Sequence, residues 1–344
     1  MLLARLSEAR GVAGDEAAVR DIILEAVRPF VDAYRVDAMG NLLVVKGRDK
    51  PGPRVMVAAH MDEVGLMITR VEKSGLLRFA KVGGLDDRLL PGKRVRVGPD
   101  GVPGVIGSKP IHLDRKASSV TPADELYIDI GATSREEAER LVRPGHYATF
   151  DTAFGEFGQG LWKGKAFDDR AGCALLVELL RGEYGFPLYG AFTVQEEVGL
   201  RGAATAAHAL DPDVALVLEG TTCADIPDAD EHGQSTRLGC GPAITAMDRT
   251  VIPPRWLTDR LVAAAERRGI PYQWKRTTMG GTDAGRIHQA RAGVPSAVVS
   301  VPCRYIHSPC AVMSRQDFEH ALELVRGFLE DLSEGGVPRH GDPQ

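Results

Sequence analysis

Two kinds of apolar pattern alternate along the chain. Continuous apolar runs are typical of strands that are covered on both faces of a parallel sheet. Apolar positions that recur every three or four residues are typical of amphipathic helices. The predicted strands span 55–59, 188–194, 213–218 and 295–301. The predicted helices span 15–34, 171–180, 201–209, 258–268 and 315–332. This alternation predicts an α/β fold with a mostly parallel sheet and helices on both faces.

A hairpin is predicted ahead of the first continuous apolar strand. The segment Tyr34–Asp37 leads to the turn residues Gly40 and Asn41, and Leu42–Val45 follows. Gly and Asn favour tight turns because they tolerate positive φ angles. We expect this hairpin to lie at an edge of the sheet.

The pattern changes between about residues 69 and 158, where short alternating runs are separated by many Gly and Pro residues. One short helix is predicted from Ser134 to Leu141, with Ser134 and Glu137 spaced as a capping box. We therefore expect a small β-rich domain, barrel-like or PDZ-like, inserted into a discontinuous catalytic domain. In this division residues 1–68 and 159–332 are catalytic, 69–158 are the insertion, and 333–344 are a loose tail.

Composition narrows the functional classes. The 344 residues are 44% hydrophobic and 26% charged, with a net charge of -5, which argues against a nucleic-acid partner. No apolar stretch is long enough to span a bilayer, and the N-terminal residues lack the pattern of a signal peptide. The five cysteines include no CxxC pair, which favours a reducing compartment. We expect a cytoplasmic protein.

Candidate metal ligands follow several of the predicted strands. His60 and Glu219 come directly after two apolar runs, Glu196 and Glu197 close a third, and His307 lies shortly after a fourth. Taken alone, adjacent glutamates indicate a solvated acidic turn, and a single His indicates a structural role. Taken together they indicate a site, because ligands of open α/β sheets bind beyond the carboxyl ends of the strands.

The number of candidate ligands predicts two metal ions. With Asp168, which opens the segment after the insertion, they exceed the four ligands of a tetrahedral zinc site. They suit two divalent metals that share a bridging carboxylate. Ligation by nitrogen and oxygen without thiolate fits Zn, with Co or Mn as alternatives. Cys303 and Cys310 flank His307, and we interpret both as packing residues.

Six segments of the chain resemble the tetrahedral aminopeptidases, also called glutamyl aminopeptidase or endoglucanase-type metallopeptidases. The resemblance spans nearly the whole chain in order. It rests on the segments Asp37–Leu42, His60–Gly65, Phe167–Gly172, Glu196–Gly202, Gly280–Ala284 and His307–Pro309. It implies an interrupted α/β catalytic domain, a dinuclear metal site and homo-oligomers, from a dimer up to a tetrahedral dodecamer.

The resemblance also implies a division of the ligands between the two metals. His60, Asp168 and Glu219 would hold one metal. Asp168 would bridge to the second metal, which Glu197 and His307 would complete. Many relatives carry Asp at position 219, so the longer Glu219 departs from the family pattern, with an unknown effect on metal affinity.

Three further residues receive roles from the same resemblance. Glu196 would be the general base. Asp62 would orient His60, and Asp169 would follow Asp168 across an unusual, cis peptide bond. Two simpler interpretations remain open: Asp62 caps a turn, and Asp169 pairs with Arg170.

The resemblance predicts a metal-dependent aminopeptidase that removes N-terminal residues from short peptides, with Glu196 taking a proton from a water between the metals. Three alternatives remain. A related deacylase or amidohydrolase would use the same metals on N-acylated small molecules. A glycosidase would need two metal-free carboxylates. A non-catalytic scaffold would not need metal at all. The side-chain preference at the cleaved residue stays open.

Overall fold

The computed structural model describes residues 1–113, 120–227, 229–230 and 233–337. The helices are α1 Leu2–Glu8, α2 Ala17–Val27, α3 Arg135–Glu139, α4 Phe167–Leu179, α5 Arg201–Leu210, α6 Arg255–Arg268, α7 Ala284–Ile287 and α8 Arg315–Gly335. The strands are β1 Ala33–Val36, β2 Leu42–Lys46, β3 Val55–His60, β4 Gly65–Val71, β5 Leu77–Val82, β6 Arg94–Val97, β7 Val102–Gly107, β8 Tyr127–Asp129, β9 Tyr147–Phe150, β10 Gly155–Phe157, β11 Leu161–Gly164, β12 Leu188–Thr193, β13 Val214–Cys223, β14 Ala243–Thr245, β15 Gln273–Lys275, β16 Ser296–Arg304 and β17 Ala311–Ser314.

The main sheet has a parallel centre and antiparallel edges. Within the described residues it contains 11 strands, in the order β1-β2-β12-β3-β13-β16-β17-β11-β10, with β14 and β15 branching from β16. The four central strands, β12, β3, β13 and β16, run parallel. The predicted hairpin is confirmed as β1 and β2, with β1 at the edge. The α/β class is therefore confirmed.

Side chains of the central strands alternate between two apolar layers. Val55, Val57 and Ala59 pack in the larger layer, which includes residues of α1, α2, α4, α6 and α8. Met56 and Ala58 pack in the smaller layer with α5 and α7. Both faces of the sheet are thus covered by helices, as continuous apolar strands predict.

Most of the inserted segment forms a closed barrel of the strands β4-β5-β8-β7-β6-β9. The barrel does not follow the predicted bounds of 69–158: β4 begins at Gly65, and β10, which lies within those bounds, pairs with β11 in the main sheet. The interior of the barrel is a separate apolar cluster that includes Leu66, Leu77 and Ile128. The predicted helix at 134–141 is shorter, Arg135–Glu139. Ser134 accepts from the Glu137 amide as expected, but the Glu137 carboxylate accepts from the amide of Thr133 rather than of Ser134.

Several predicted boundaries change in the structure. The helix predicted over 15–34 is α2 alone, because Pro29 has no amide hydrogen with which to continue the ladder. Strand β13 runs on to Cys223, so Glu219 lies inside a strand rather than after one. Helix α8 extends to Gly335, and residues 338–344 of the predicted tail lie outside the described residues. Within the described residues no helix has the length and apolarity needed to cross a membrane.

Candidate active site

His60 and Glu219 lie side by side on neighbouring parallel strands. Val217 pairs with Ala58, so Glu219, two residues further along β13, stands next to His60 at the end of β3. Both share the sheet face that carries Met56 and Ala58, since side chains alternate along a strand. His60 Nε2 lies 3.5 Å from Glu219 Oε2. The sheet register alone therefore brings these two predicted ligands together.

Asp168 stands between the two predicted histidine ligands. It lies in the first turn of α4, at a residue whose backbone is not helical, and the Asp168–Asp169 peptide bond is cis. Its Oδ1 is 3.3 Å from His60 Nε2, and its Oδ2 is 3.4 Å from His307 Nε2. A Cβ at Gly220 would lie 2.8 Å from the Asp168 Cα, so only glycine leaves room for this approach. One carboxylate thus faces both imidazole rings.

Glu197 and His307 form the outer part of the site. Their closest atoms, Glu197 Oε2 and His307 Nε2, are 3.2 Å apart. His307 Nδ1 lies 3.1 Å from the carbonyl oxygen of Gly84, in the inserted segment. Because a carbonyl oxygen only accepts, Nδ1 carries the hydrogen, and Nε2 is left to face the carboxylates.

Asp62 contacts both His60 and the backbone of the adjacent glutamates, Glu196 and Glu197. Its carboxylate accepts from the backbone amides of Glu196 and Glu197, at 2.9 and 3.0 Å. Its carbonyl oxygen lies 3.2 Å from His60 Nδ1, and its Oδ1 lies 3.5 Å from the same atom. Sequence reasoning anticipated only the contact with His60. The hydrogen bonds from the two backbone amides show that Asp62 also holds the backbone of Glu196 and Glu197 in place.

Asp169 is held by backbone amides rather than by Arg170. Its Oδ2 accepts from the His60 amide at 3.1 Å, and its Oδ1 accepts from the Gly172 amide at 2.9 Å. Arg170 is directed to the Met61 carbonyl and to Glu63. The proposed Asp169–Arg170 pair is therefore wrong, and Asp169 braces the backbone of the ligand His60.

Burial and crowding shift the acidity of the whole cluster. Burial lowers the pKa of His307, but Asp168 and Glu197 outweigh it and raise this pKa to about 11. Burial also acts to lower the pKa of His60. The carboxylates of Asp168, Asp62 and Glu219 outweigh this effect and hold the pKa of His60 well above its usual value. Burial raises the pKa of Glu219 to about 7 and that of Glu196 well above its usual value. The cluster holds more carboxylates than its own cations can balance.

The donor set fits divalent metal ions. Ligand atoms of His60, Asp168 and Glu197 lie within 4.8 Å of one another, and so do those of His60, Asp169 and Glu219. The second grouping names Asp169 where the sequence suggests Asp168, but both oxygens of Asp169 already accept amide hydrogens. Glu219 Oε1 is buried and has no hydrogen-bond partner in the part of the chain that the structure describes, and a metal ion would satisfy it.

Sequence reasoning gave no role to Asp283, although it lies in the segment Gly280–Ala284. The Asp283 carboxylate accepts a hydrogen bond from Thr193, which pairs with His60 across the β12–β3 ladder. Its Oδ1 is buried and has no partner among the described residues. Its burial and its contact with Thr193 are visible only in the structure, so its place in the segment Gly280–Ala284 was the one signal that the sequence offered.

A large cavity opens from this cluster. It has a volume of about 1000 Å³, and Asp168, Glu196, Glu197 and Glu219 are among its lining residues. The segment containing Gly280 and the loop that carries Arg249 form other walls. The cavity is therefore large enough for a short peptide beside the candidate metal ligands.

Comparison with known proteins identifies close relatives of this chain. The family model of M42 glutamyl aminopeptidases matches residues 40–324. The lysyl aminopeptidase of Pyrococcus furiosus is 33% identical, and the alignment covers 96% of each chain.

Solved structures agree with these matches. A TET aminopeptidase from a marine sediment archaeon of the Thaumarchaeota has a TM-score of 0.93 at 40% identity, over 97% of each chain. The TET1 peptidase of Pyrococcus horikoshii, described as assembling into a tetrahedron or a large octahedral shell, has a TM-score of 0.86 at 37% identity, over 96% of this chain and 99% of its own.

Proposed function

The chain belongs to the M42 glutamyl aminopeptidase family, and we propose that it removes N-terminal residues from short peptides at a site for two divalent metals. The observation that carries this proposal is the position of Asp168. Its two oxygens lie 3.3 and 3.4 Å from the Nε2 atoms of His60 and His307, as a bridging carboxylate requires.

The proposed ligands divide as the resemblance suggests. His60 and Glu219 would hold one metal, Glu197 and His307 the other, and Asp168 both. When bound, such metals polarise a carbonyl group and lower the pKa of a coordinated water. Zinc is the metal that we expect, with cobalt or manganese as alternatives.

Glu196 is the proposed general base. Its Oε2 lies 4.0 Å from His60 Nε2, while its neighbour Glu197 contacts His307, so the two adjacent carboxylates face different ligands. Glu196 would take a proton from the attacking water and return it to the leaving amine. Asp62 acts as a positioning residue, because it bonds the backbone amides of both glutamates.

We also propose an assembly role for the inserted segment, residues 69–158, between the catalytic parts 1–68 and 159–332. Its closed barrel has an apolar interior of its own, and the Pyrococcus horikoshii relative is described as forming shells. Replacing the segment with a Gly/Ser linker should reduce the number of subunits per particle, found by light scattering as the particle mass divided by the mass of the shortened chain. An unchanged number of subunits would refute this role. A cytoplasmic location also stays a prediction.

A peptide digest tests the proposed activity. The enzyme, supplied with Zn, Co or Mn in separate samples, is incubated with a peptide of about ten residues, with its N-acetylated form and with a folded protein. Mass spectrometry should show successive N-terminal losses from the free peptide alone. Equal processing of the acetylated peptide would instead favour a deacylase, and internal cleavage would exclude an exopeptidase.

A further inference from the structure

A second cavity lies apart from the candidate metal ligands, at the junction between the N-terminal segment and the barrel. It has a volume of about 410 Å³, and none of the proposed ligands lines it. One side is formed by residues between 10 and 18, which lead into α2, and the other by residues of the barrel between 96 and 149. The volume is in the range of small-molecule pockets. A ligand here would contact both the catalytic part and the barrel.

The barrel side of this cavity is the outer face of β6 and β9. Val97 pairs with Ala148, and both side chains belong to the apolar interior of the barrel. Arg96 and Thr149, the neighbouring pair of the ladder, therefore point to the outer face, because side chains alternate along a strand. Although Thr149 is on the outer face, it is only 4% exposed. It is a buried polar side chain in the wall of the cavity.

Two buried polar atoms in this wall have no hydrogen-bond partner among the described residues, Thr149 Oγ1 and His146 Nδ1. Arg143 Nε donates to His146 Nε2 at 3.1 Å. In the neutral ring Nε2 is therefore the acceptor, and Nδ1 carries the hydrogen. Buried polar groups are nearly always paired in folded proteins. The wall thus offers a hydroxyl group and an imidazole N–H to a ligand that can accept hydrogen bonds.

The charge around the cavity favours an anion. Arg10, Arg96 and Arg143 line it, and Asp15 is the one carboxylate among the described residues that do so. Arg96 is paired with Asp151 at 3.2 Å. Arg10 and Arg143 have no carboxylate within 4.0 Å in the described part of the chain. Positive charge therefore exceeds negative charge here, which raises the local concentration of anions.

The two arginines without a carboxylate come from the two sides of the junction. Arg10, in the catalytic part, donates to the carbonyl oxygens of Gly98 and Pro99 in the turn after β6, at 3.2 and 2.5 Å. These contacts fix the side chain without neutralising its charge. Arg143, in the barrel, uses Nε for His146, and its Nη groups make no hydrogen bond within the described residues. Both charges are thus available to a ligand.

We propose that this cavity binds an oxyanion of the phosphate class, either free phosphate or the phosphate group of a small metabolite. Arg10 and Arg143 supply charge-assisted hydrogen bonds, and Thr149 and His146 supply neutral ones. Donors from four residues suit the several oxygens of a tetrahedral phosphate better than the two of a carboxylate. The bound anion joins the catalytic part to the barrel. This inference does not depend on the proposed peptidase activity.

Titration calorimetry on the metal-loaded enzyme tests the site. The probes are inorganic phosphate, glycerol 3-phosphate and acetate, compared at equal ionic strength because salt screens exposed charges. We expect saturable binding of phosphate or glycerol 3-phosphate and weaker binding of acetate. Tighter binding of glycerol 3-phosphate identifies a phosphate ester as the ligand, and equal or weaker binding identifies free phosphate. Acetate that binds as tightly as both phosphates, or no saturable binding of either phosphate, overturns the proposal.

The variants separate this cavity from the metal site, which can itself bind phosphate. Arg143→Gln should raise the Kd for phosphate by about 10- to 100-fold, the range of a charge-assisted hydrogen bond. Thr149→Val removes the hydroxyl group at nearly constant size and should raise the Kd by about 2- to 10-fold. Arg140→Gln is the matched control, because Arg140 is an exposed arginine of the same segment that does not line the cavity. It should keep the wild-type Kd.

A thermal unfolding scan in phosphate-free buffer completes the test. Thr149→Val should keep at least the wild-type Tm, since no described residue bonds its hydroxyl group. A lower Tm would show that the fold uses this hydroxyl and would exclude it as a ligand group. The same Kd for phosphate in the wild type, Arg143→Gln and Thr149→Val would place the anion elsewhere, such as at the metals, and would overturn the site. Arg143 is exposed, so its variant is expected to fold.

Discussion

The two halves of the candidate metal site are built in different ways. The inner half, His60 and Glu219, stands on two central strands, and the His60 side chain is 1% exposed. The outer half, Glu197 and His307, lies on loops, and the His307 side chain is 36% exposed. The sheet register sets the inner half, whereas the outer half depends on the conformation of connecting segments.

The outer half is also supported by the inserted segment. The ring of His307, a residue with a φ of 54°, is bonded to the Gly84 carbonyl. On the inner side, the His60 amide is instead held by Asp169 within the catalytic part. The difference means that the inserted segment contacts the outer half directly, through Gly84, whereas the contact of Asp169 with the inner half lies within the catalytic part.

Removal of metal should have the largest effect and tests this contrast directly. Chelation should abolish activity and leave the far-UV circular dichroism unchanged, because three apolar clusters hold the fold without metal. We expect metal content to fall in two steps as chelator is increased, with the more exposed outer position emptied first.

A variant of His307 tests which of the two metal positions is emptied in each step of the chelator titration. His307→Ala should retain about one metal per chain after mild chelation. Loss of both metals in a single step from the wild-type enzyme would show that the two halves act as one unit. Full activity in metal-free protein would exclude the metal mechanism.

Substitution of the two adjacent glutamates should affect different properties of the enzyme, turnover for Glu196 and metal content for Glu197. Glu196→Gln is expected to lower kcat by ~10²–10⁴-fold while metal content stays at the wild-type level, because an amide cannot accept the proton. Glu197→Gln should instead lower the metal content, since its carboxylate faces His307 in the outer half. Metal analysis and turnover are measured on the same samples, and equal metal loss in both variants would show that the roles are misassigned.

Asp62 links the two halves, so its substitution should have an intermediate effect. Asp62→Asn keeps the size of the side chain but replaces one of the two oxygens that accept amide hydrogens from Glu196 and Glu197. We expect activity to fall by ~10–100-fold. Asp21→Asn, at an exposed position of α2, is the control and should behave as the wild type. Wild-type activity in Asp62→Asn would reduce Asp62 to a turn-capping residue.

Glu219→Asp should have the smallest effect. The change removes one methylene from a ligand whose Oε1 is buried and has no hydrogen-bond partner among the described residues, and it introduces the residue that the family resemblance favours at this position. Since the strand that holds position 219 is unchanged, we expect kcat/KM to change by less than about tenfold, or ~1.4 kcal/mol. Titration with Zn measures the accompanying change in affinity. A loss comparable to that of Glu196→Gln would mean that the longer side chain is required in this chain.

Part of the fold could be predicted because its signals are local. Every position of a continuous apolar run such as 55–59 is expected to be buried, so the central strands could be predicted from the apolar pattern alone. The end of β13 did not, because residues 219–223 include polar side chains, and their ladder with β16 exists only once the two strands pair. The shorter α2 was predictable in principle from Pro29.

The sequence by itself determined the chemistry of the site: two histidines and several carboxylates after buried strands, in an order that resembles one family. Only the tertiary structure decided how they are used. Which oxygen of Asp168 faces which histidine, the support of His307 by Gly84, and the meeting of Arg10 with Arg143 and Thr149 at one cavity all join residues far apart in the chain. Local patterning reports which face of an element is buried, whereas contacts at long sequence separation depend on register and packing that no single segment contains.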